Sequence, residues 1–179
     1  MAGDTVYTTV RSAEQAEIME KDFGVTKAFL YKDADYITKL REATGGKGVD
    51  LVLDGIGVNN FADSKKCLES KGYLAAYGLH SSVVNPKATF SIFKLITSTI
   101  WMKLTSNKGF GFYSIAVRRK KKPEEWNEDF GVLLGMLKEE KINIQIAESL
   151  NKLEDVPGGH QRLMKGDVDG KIVLELPLA

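Results

Sequence analysis

Residues 28–57, AFLYKDADYITKLREATGGKGVDLVLDGIG, decide the fold, because they hold a strand, a helix and a second strand in one uninterrupted run. The segment 28–31 is short, apolar and aromatic, which is typical of a β-strand. Asp33 is suited to cap the helix that follows, and Gly45 and Gly46 are suited to end it. The segment 49–53 is a near-continuous apolar run, which predicts a strand that is buried on both faces.

The same alternation of strands and helices continues on both sides of this stretch. The other predicted strands are 6–10, 73–77, 110–116, 142–146 and 171–176. The other predicted helices begin at Ser12, span about 60–70 and 88–104, begin at Pro123, and span about 154–165 with an end at Gly166. Strands and helices that alternate at this spacing indicate right-handed crossovers. The predicted fold is therefore α/β, with a doubly wound, mainly parallel sheet that has helices on both faces.

The composition narrows the classes of function. The formal net charge of the 179 residues is +1, so nothing in the charge balance requires nucleic acid as a partner. The apolar stretch 88–104 is interrupted by Lys94 and Lys103 and falls short of the ~20 residues of a membrane span. The lone Cys67 fits a reducing compartment, and we expect a cytoplasmic protein. The basic run 118–122 is interpreted as a solvated loop before a helix, with contact to an anion or a membrane surface as the alternative.

A catalytic metal centre is not expected. The chain contains one cysteine and two histidines, His80 and His160, which are far apart in sequence. Three protein ligands are needed for an open zinc site, and these residues do not supply such a set.

Polar residues follow the first two predicted strands, where ligands of open parallel sheets bind. Arg11 and Ser12 follow the first strand, and Tyr31 ends the second. An arginine side chain binds a phosphate through two parallel hydrogen bonds, and the helix that begins after Ser12 adds backbone amides. An arginine here, in place of an acidic residue for a free ribose hydroxyl, favours NADP over NAD. The alternative is structural: Ser12 as a helix cap, Arg11 as a surface residue and Tyr31 as a packing residue.

Glycines follow the third and fourth predicted strands. Gly55, Gly57 and Gly78 would allow a flat ligand to approach the backbone closely, although Gly55 and Gly57 are also compatible with ordinary turns. The glycine-rich motif that cradles a dinucleotide pyrophosphate, G-x-G-x-x-G after a strand, does not occur. Gly109 and Gly111 lack the third glycine and precede a strand-like segment.

Several segments together resemble the second half of the medium-chain dehydrogenase/reductase superfamily. They are TTVRSAEQAEIMEKDFGV at 8–25, the stretch 28–57, CLESKGYLAAYG at 67–78 and HQRLMKGDVDGKIVLELP at 160–177. The similarity is greatest to the zinc-lacking quinone oxidoreductase branch, which includes the vesicle amine transport protein-like members.

The resemblance implies hydride transfer from NADPH to a quinone or another conjugated carbonyl. It implies that Arg11, Ser12 and Tyr31 surround the 2′-phosphate of NADPH. The other expected cofactor-binding residues are Asp54, Gly55, Gly57, Tyr77, Gly78, Leu79, Phe110 and Phe112, of which the last two would lie by the nicotinamide. The resemblance identifies no catalytic side chain.

The chain also departs from this family pattern. Family members begin with a catalytic domain and with a first central strand and glycine-rich turn that have no counterpart here. We therefore expect a partial chain with impaired or no activity alone, in which 1–141 form an incomplete Rossmann-like domain and 142–179 return to the catalytic domain. The family strand order is 3-2-1-4-5-6. Without strand 1 the neighbouring strands close the gap, another chain lends a strand, or the chain is a fragment of a longer polypeptide.

A non-catalytic role is the alternative interpretation. The chain would then be a nucleotide-binding or dimerisation module. The resemblance implies that the sheet edge near 110–116 pairs two subunits, so a homodimer through this edge is expected.

Overall fold

The structure is a computed structural model that describes residues 4–57, 59–78, 97, 100, 108–166 and 168–175. The chain divides into two compact units, Met1–Ser114 and Ile115–Ala179. The boundary predicted between residues 141 and 142 separates the Rossmann-like domain from the segment that is expected to return to a catalytic domain, and it stays a prediction. None of the helices in the described ranges is long and apolar enough to cross a membrane.

The first unit alternates strands and helices, as the sequence predicts. Its elements are β1 (Tyr7–Val10), α1 (Ala13–Asp22), β2 (Lys27–Leu30), α2 (Tyr36–Ala43), β3 (Val49–Asp54), α3 (Phe61–Cys67), β4 (Leu68–Ala76) and β5 (Gly109–Phe112). β1 pairs with β2, and β3, β4 and β5 form a second sheet in that order. Every pairing is parallel, which agrees with the predicted fold class.

The described strands of the first unit form two sheets that no described pairing joins. β1 is hydrogen-bonded to β2 and β3 to β4, and no described pairing links β1 to β3. Closure of the gap between these strands, one of the three arrangements considered from sequence, is therefore not what the described strands adopt.

The core of the first unit consists of two adjoining apolar clusters. One contains Phe61, Leu68, Leu74 and Ala76, and the other contains Phe29, Leu40 and Cys67. Val49 and Val52 of β3 pack against both clusters, so β3 connects them. Complete burial of a leucine side chain such as Leu74 stabilises the fold by about 2 kcal/mol.

The prediction that 49–53 is buried on both faces is wrong. Leu51 is 52% exposed and Leu53 is 66% exposed, whereas Asp54 is buried. Successive side chains of a strand point to opposite faces. Among the described residues, only the face that packs against α3 is covered.

The boundary between α3 and β4 lies earlier than predicted. Leu68 already has extended backbone angles (φ −72°, ψ 146°), so 68–72 belong to the strand rather than to a helix and turn. Two cations bind the carbonyl groups at this boundary. Arg41 donates to the carbonyls of Lys66 and Leu68, and Lys108 donates to those of Lys65 and Leu68. These bonds satisfy carbonyls that a helix end leaves without partners.

The second unit contains helices and a short parallel sheet. Its elements are α4 (Ile115–Lys121), α5 (Pro123–Lys138), β6 (Ile146–Leu150), a 3₁₀ segment (Leu153–Asp155), α6 (Val156–Lys165) and β7 (Lys171–Leu174). β6 and β7 pair in parallel. Pro123 begins α5 and Gly166 ends α6 in a left-handed conformation (φ 74°), as the sequence predicts.

The basic run 118–122 is largely helical, and the loop predicted there is wrong. The strand predicted for 110–116 ends at Phe112, and α4 begins at Ile115. Arg118 forms ion pairs with Glu125 (3.2 Å) and Asp129 (3.0 Å) of α5. The acidic face of α5 therefore neutralises charges that would repel one another on an isolated helix.

Two further predictions need correction. The strand predicted at 142–146 begins only at Ile146. Asp33 does not cap α2, whose N-cap is Asp35 without a side-chain cap bond; instead the Asp33 carboxylate pairs with Lys39 at 3.2 Å. The helix predicted at 88–104 lies mainly outside the described residues.

Candidate functional site

The carboxyl ends of β1 and β2 bring together residues predicted to bind a phosphate. Val10 and Leu30 are partners in the register, and the Tyr31 amide donates to the Val10 carbonyl at 3.0 Å. Arg11 and Tyr31, which directly follow these residues, therefore share one edge of the sheet. Tyr31 is 52% exposed. We call Arg11, Ser12 and Tyr31 the β1–β2 edge.

The start of α1 is closed by a reciprocal cap. Ser12 is the N-cap, and its hydroxyl oxygen accepts a bond from the Gln15 amide at 3.3 Å. The Gln15 side chain accepts in return from the Arg11 amide at 3.1 Å. Ser12 and Gln15 thus form a capping box at the helix start predicted for Ser12, with the return bond shifted by one residue. The cap holds the backbone of Arg11 against the helix end.

Two charged residues beside this edge were missed from the sequence. The Glu14 carboxylate accepts from its own backbone amide and from the Ser12 hydroxyl, and these bonds lower the pKa of Glu14. The Lys32 ammonium lies 5.9 Å from the centre of the Tyr31 ring. Their signal in the sequence is adjacency, since each lies within two residues of a predicted phosphate ligand.

Asp54, at the end of β3, organises its own loop. Its side chain is buried (3% exposed) and accepts from the amides of Ile56 (2.8 Å) and Gly57 (2.9 Å). It also accepts from the Asn60 side-chain amide at 3.1 Å and the Ser64 hydroxyl at 2.7 Å. A buried carboxylate is costly unless it is hydrogen-bonded, and here four donors from the same loop and helix stabilise it. We call this arrangement the Asp54 loop.

Asn60 and Ser64 were not identified from the sequence as parts of this loop. The available signal was Ser64, which shares the buried face of α3 with Phe61 and Cys67. A serine on an apolar helix face needs a hydrogen-bonding partner, and Asp54 is the partner that the fold supplies.

The glycines after β3 and β4 make room for the chain itself. A Cβ atom on Gly78 would lie 2.3 Å from the Gly55 carbonyl oxygen, and one on Gly55 would lie 2.9 Å from the Tyr77 hydroxyl. Gly57 has a positive φ of 102°. The space at these glycines, which was predicted to admit a ligand, is occupied in this structure by the two loops and the Tyr77 ring.

The residues of β5 are divided between core and surface. The Phe110 ring contacts Phe61 edge-to-face (centroids 5.4 Å apart), which commits it to the core, whereas Phe112 is 40% exposed. The Tyr73 ring lies across the glycines of the same strand, since a Cβ on Gly111 would be 2.1 Å from its hydroxyl. Gly109 and Gly111 therefore accommodate an aromatic side chain. Leu79 and His80 lie outside the described residues.

Two titratable groups near the core are held in their neutral forms. Burial, assisted by Cys67, Asp63 and Asp54, raises the pKa of Tyr36 to about 12. Burial also raises the pKa of the Cys67 thiol, which disfavours the reactive thiolate. Among the described residues, no group of three or more His, Cys, Asp or Glu side chains is arranged to hold a metal ion.

Comparison with known proteins identifies the family. Residues 23–174 match the model of the zinc-binding dehydrogenase family. The chain belongs to this family. The described residues of this chain do not fit the zinc ion that the family description names, because they assemble no set of zinc ligands.

Individual relatives agree with this assignment. The chain is 43% identical over 84 residues to 2-haloacrylate reductase of a Burkholderia species and 32% identical over 82 residues to quinone oxidoreductase 1 of Escherichia coli. These matches cover 47% and 46% of this chain and 25% of each relative. A mycobacterial protein solved in complex with NADPH superposes with a TM-score of 0.69 at 26% identity, covering 95% of this chain and 49% of the other.

These relatives confirm the predicted resemblance to the quinone oxidoreductase branch and the predicted Rossmann-like fold. The chain spans between a quarter and a half of the length of these three relatives.

Proposed function

We propose that this chain is the NADPH-binding part of an oxidoreductase that reduces a quinone or another conjugated carbonyl. The proposal is supported by the quinone oxidoreductase and 2-haloacrylate reductase relatives and by a structural neighbour solved with NADPH. The observation that carries it is the β1–β2 edge, where the Tyr31 amide bonds the Val10 carbonyl and so aligns Arg11 with Tyr31.

In this proposal the β1–β2 edge binds the 2′-phosphate of NADPH. The Arg11 guanidinium has a planar array of donors that fits two phosphate oxygens at once. The hydroxyl groups of Ser12 and Tyr31 add donors, and the N-terminus of α1 favours a negative charge. NADH has no phosphate at this position, so the edge would favour NADPH.

The other strand ends would orient the rest of the cofactor. Tyr77 and Phe112 are exposed at the ends of the neighbouring strands β4 and β5. We propose that Tyr77 and Phe112 lie along the ribose and nicotinamide. Gly55, Gly57 and Gly78 have no side chains and would therefore leave space for the cofactor next to the loop backbone. Asp54 would contribute to cofactor binding only indirectly, by fixing the conformation of the Asp54 loop. When bound, NADPH supplies the hydride, and the protein aligns it.

The test measures binding of adenosine 2′,5′-bisphosphate and 5′-AMP to the full chain by calorimetry. We expect the bisphosphate to bind more tightly, and Arg11→Met to weaken its binding about tenfold, because a hydrogen-bonded charge contributes about 1.5 kcal/mol or more. Tyr31→Phe should weaken it less. Arg119→Met is the control, since Arg119 packs on the Trp126 ring in the second unit. Equal affinity of the wild type for both nucleotides would contradict the proposal.

We further propose that this chain forms a homodimer through β5. β5 pairs with β4 on one side, and no described strand pairs with its other side. An open strand edge is a template for pairing with a second copy. Phe112→Pro removes one backbone donor from this strand and should shift the chain to monomers in sedimentation experiments. Phe112→Ala keeps the backbone donor, so this variant should still form the dimer. A wild-type chain that is monomeric at high concentration would exclude the proposed homodimer.

A further inference from the structure

The β1–β2 edge has two charged neighbours of opposite sign, and we propose that they set its selectivity. In this proposal Lys32 attracts the 2′-phosphate, whereas the Glu14 carboxylate in the first turn of α1 repels it. The inference rests on the proposed cofactor site and adds the residues that tune it.

Lys32 is held at the edge by Tyr31. The Tyr31 backbone is fixed to β1 by its bond to the Val10 carbonyl, and the Lys32 ammonium lies 5.9 Å from the Tyr31 ring centre. The acidic residue that follows, Asp33, pairs with Lys39. A cation over an aromatic face keeps its charge and its three donors. Lys32 therefore adds a second positive charge at the strand ends where Arg11 and Tyr31 lie, without fixing the geometry of the phosphate.

Glu14 lies at the end of α1 where an incoming phosphate would bind. It is the second residue of α1, where the helix dipole favours negative charge. Hydrogen bonds from its own amide and from the Ser12 hydroxyl lower the pKa of Glu14, so its side chain is negatively charged at neutral pH. A negative charge two residues beyond Ser12 repels a phosphate that binds at the same helix start.

The two residues act in opposite directions on one ligand. A 2′-phosphate is attracted by Lys32 and repelled by the Glu14 carboxylate. A nucleotide with a free 2′-hydroxyl has no charge at this position and experiences neither effect. The preference for the phosphorylated nucleotide is therefore the difference between these contributions, and each can be removed separately.

The experiment compares adenosine 2′,5′-bisphosphate with 5′-AMP on the full chain at low ionic strength, where surface charges are least screened. Lys32→Met should weaken binding of the bisphosphate about threefold to tenfold. Glu14→Gln should tighten it about twofold to fivefold, because a carboxylate at the helix start is replaced by a neutral amide. Binding of 5′-AMP should change by less than about twofold in both variants, because its 2′-hydroxyl carries no charge.

Matched controls are available on the same elements. Lys27 begins β2 and lies over the Phe29 ring at 5.5 Å, so Lys27→Met removes the same kind of contact at the opposite end of the strand. Glu17, which pairs with Lys21, lies one turn further along α1, so Glu17→Gln removes the same charge away from the edge. Neither control should alter the ratio of the two affinities.

The outcomes separate this inference from the proposed function. A wild type that prefers the bisphosphate, with Lys32→Met and Glu14→Gln indistinguishable from their controls, overturns the inference and leaves the cofactor proposal intact. A wild type without that preference overturns both. Selective, opposite changes in the two variants support the inference.

Discussion

The β1–β2 edge and the Asp54 loop differ in what their polar groups contact, although both follow strands of the same unit. At the Asp54 loop, the carboxylate is 3% exposed and four donors of the chain itself bind it. At the β1–β2 edge, Tyr31 is 52% exposed, and the cap bonds join Arg11 and Ser12 to Gln15. Polar residues that follow a strand are therefore candidates for ligand binding only where the fold leaves them exposed.

The largest effect that would test this contrast is expected for Asp54→Ala. The change removes the acceptor from the Ser64 hydroxyl, the Asn60 amide and two backbone amides, and leaves part of them buried without a partner. We expect the free energy of unfolding to fall by about 3 kcal/mol, as measured by urea denaturation. Asp54→Asn, which keeps one acceptor oxygen, should lose less. A loss below about 1 kcal/mol would show that the loop does not depend on the carboxylate.

A second, somewhat smaller effect is expected for Gly78→Ala. The added Cβ would lie 2.3 Å from the Gly55 carbonyl oxygen, so one of the two loops must move. We expect a loss of about 2 kcal/mol in the free energy of unfolding. Gly131→Ala is the control, because Gly131 lies within α5 and has no atom within 4 Å of an added Cβ. That control should be neutral or stabilise by up to about 1 kcal/mol.

At the β1–β2 edge, a smaller stability effect is expected for Ser12→Ala. The change removes the acceptor for the Gln15 amide, and loss of such a cap costs about 1 kcal/mol. Ser12→Gly should lose only a few tenths of a kcal/mol, measured in the same way. If Ser12→Ala lowers the free energy of unfolding as much as Asp54→Ala does, the contrast between the β1–β2 edge and the Asp54 loop is wrong.

The smallest effect concerns the pH dependence of stability through Tyr36, in the core beneath β2 and β3. Its pKa is 10.0 in the unfolded reference and about 12 in the folded chain, so the folded state retains the proton longer. Stability from this group is complete below about pH 10 and falls as the pH rises towards about 12. Urea midpoints on either side of this range should fall more for the wild type than for Tyr36→Phe. Equal decreases would contradict a buried, neutral Tyr36.

Much of the fold was accessible from the sequence because its signals are local. The capping pair Ser12 and Gln15, the initial Pro123 and the left-handed Gly166 all act on backbone within one helical turn. Predictions failed where distant contacts decide, as at 118–122, where acidic residues of α5 support α4. The extended backbone at Leu68 is another case, because Arg41 and Lys108 bind the carbonyls at that boundary.

For the candidate site, the residue types and their positions after strands were evident from the sequence, and the pairing of β1 with β2 brings Arg11 and Tyr31 together as that pattern implies. The sequence did not reveal that Asp54 is bound by Asn60 and Ser64, that Gly55 and Gly78 contact one another, or that no described pairing joins β1 to β3. The sequence by itself determined the alternation of elements and their ends, since these follow from local backbone preferences. Only the tertiary structure decided which polar groups are buried and which remain accessible, because burial depends on residues that meet from distant parts of the chain.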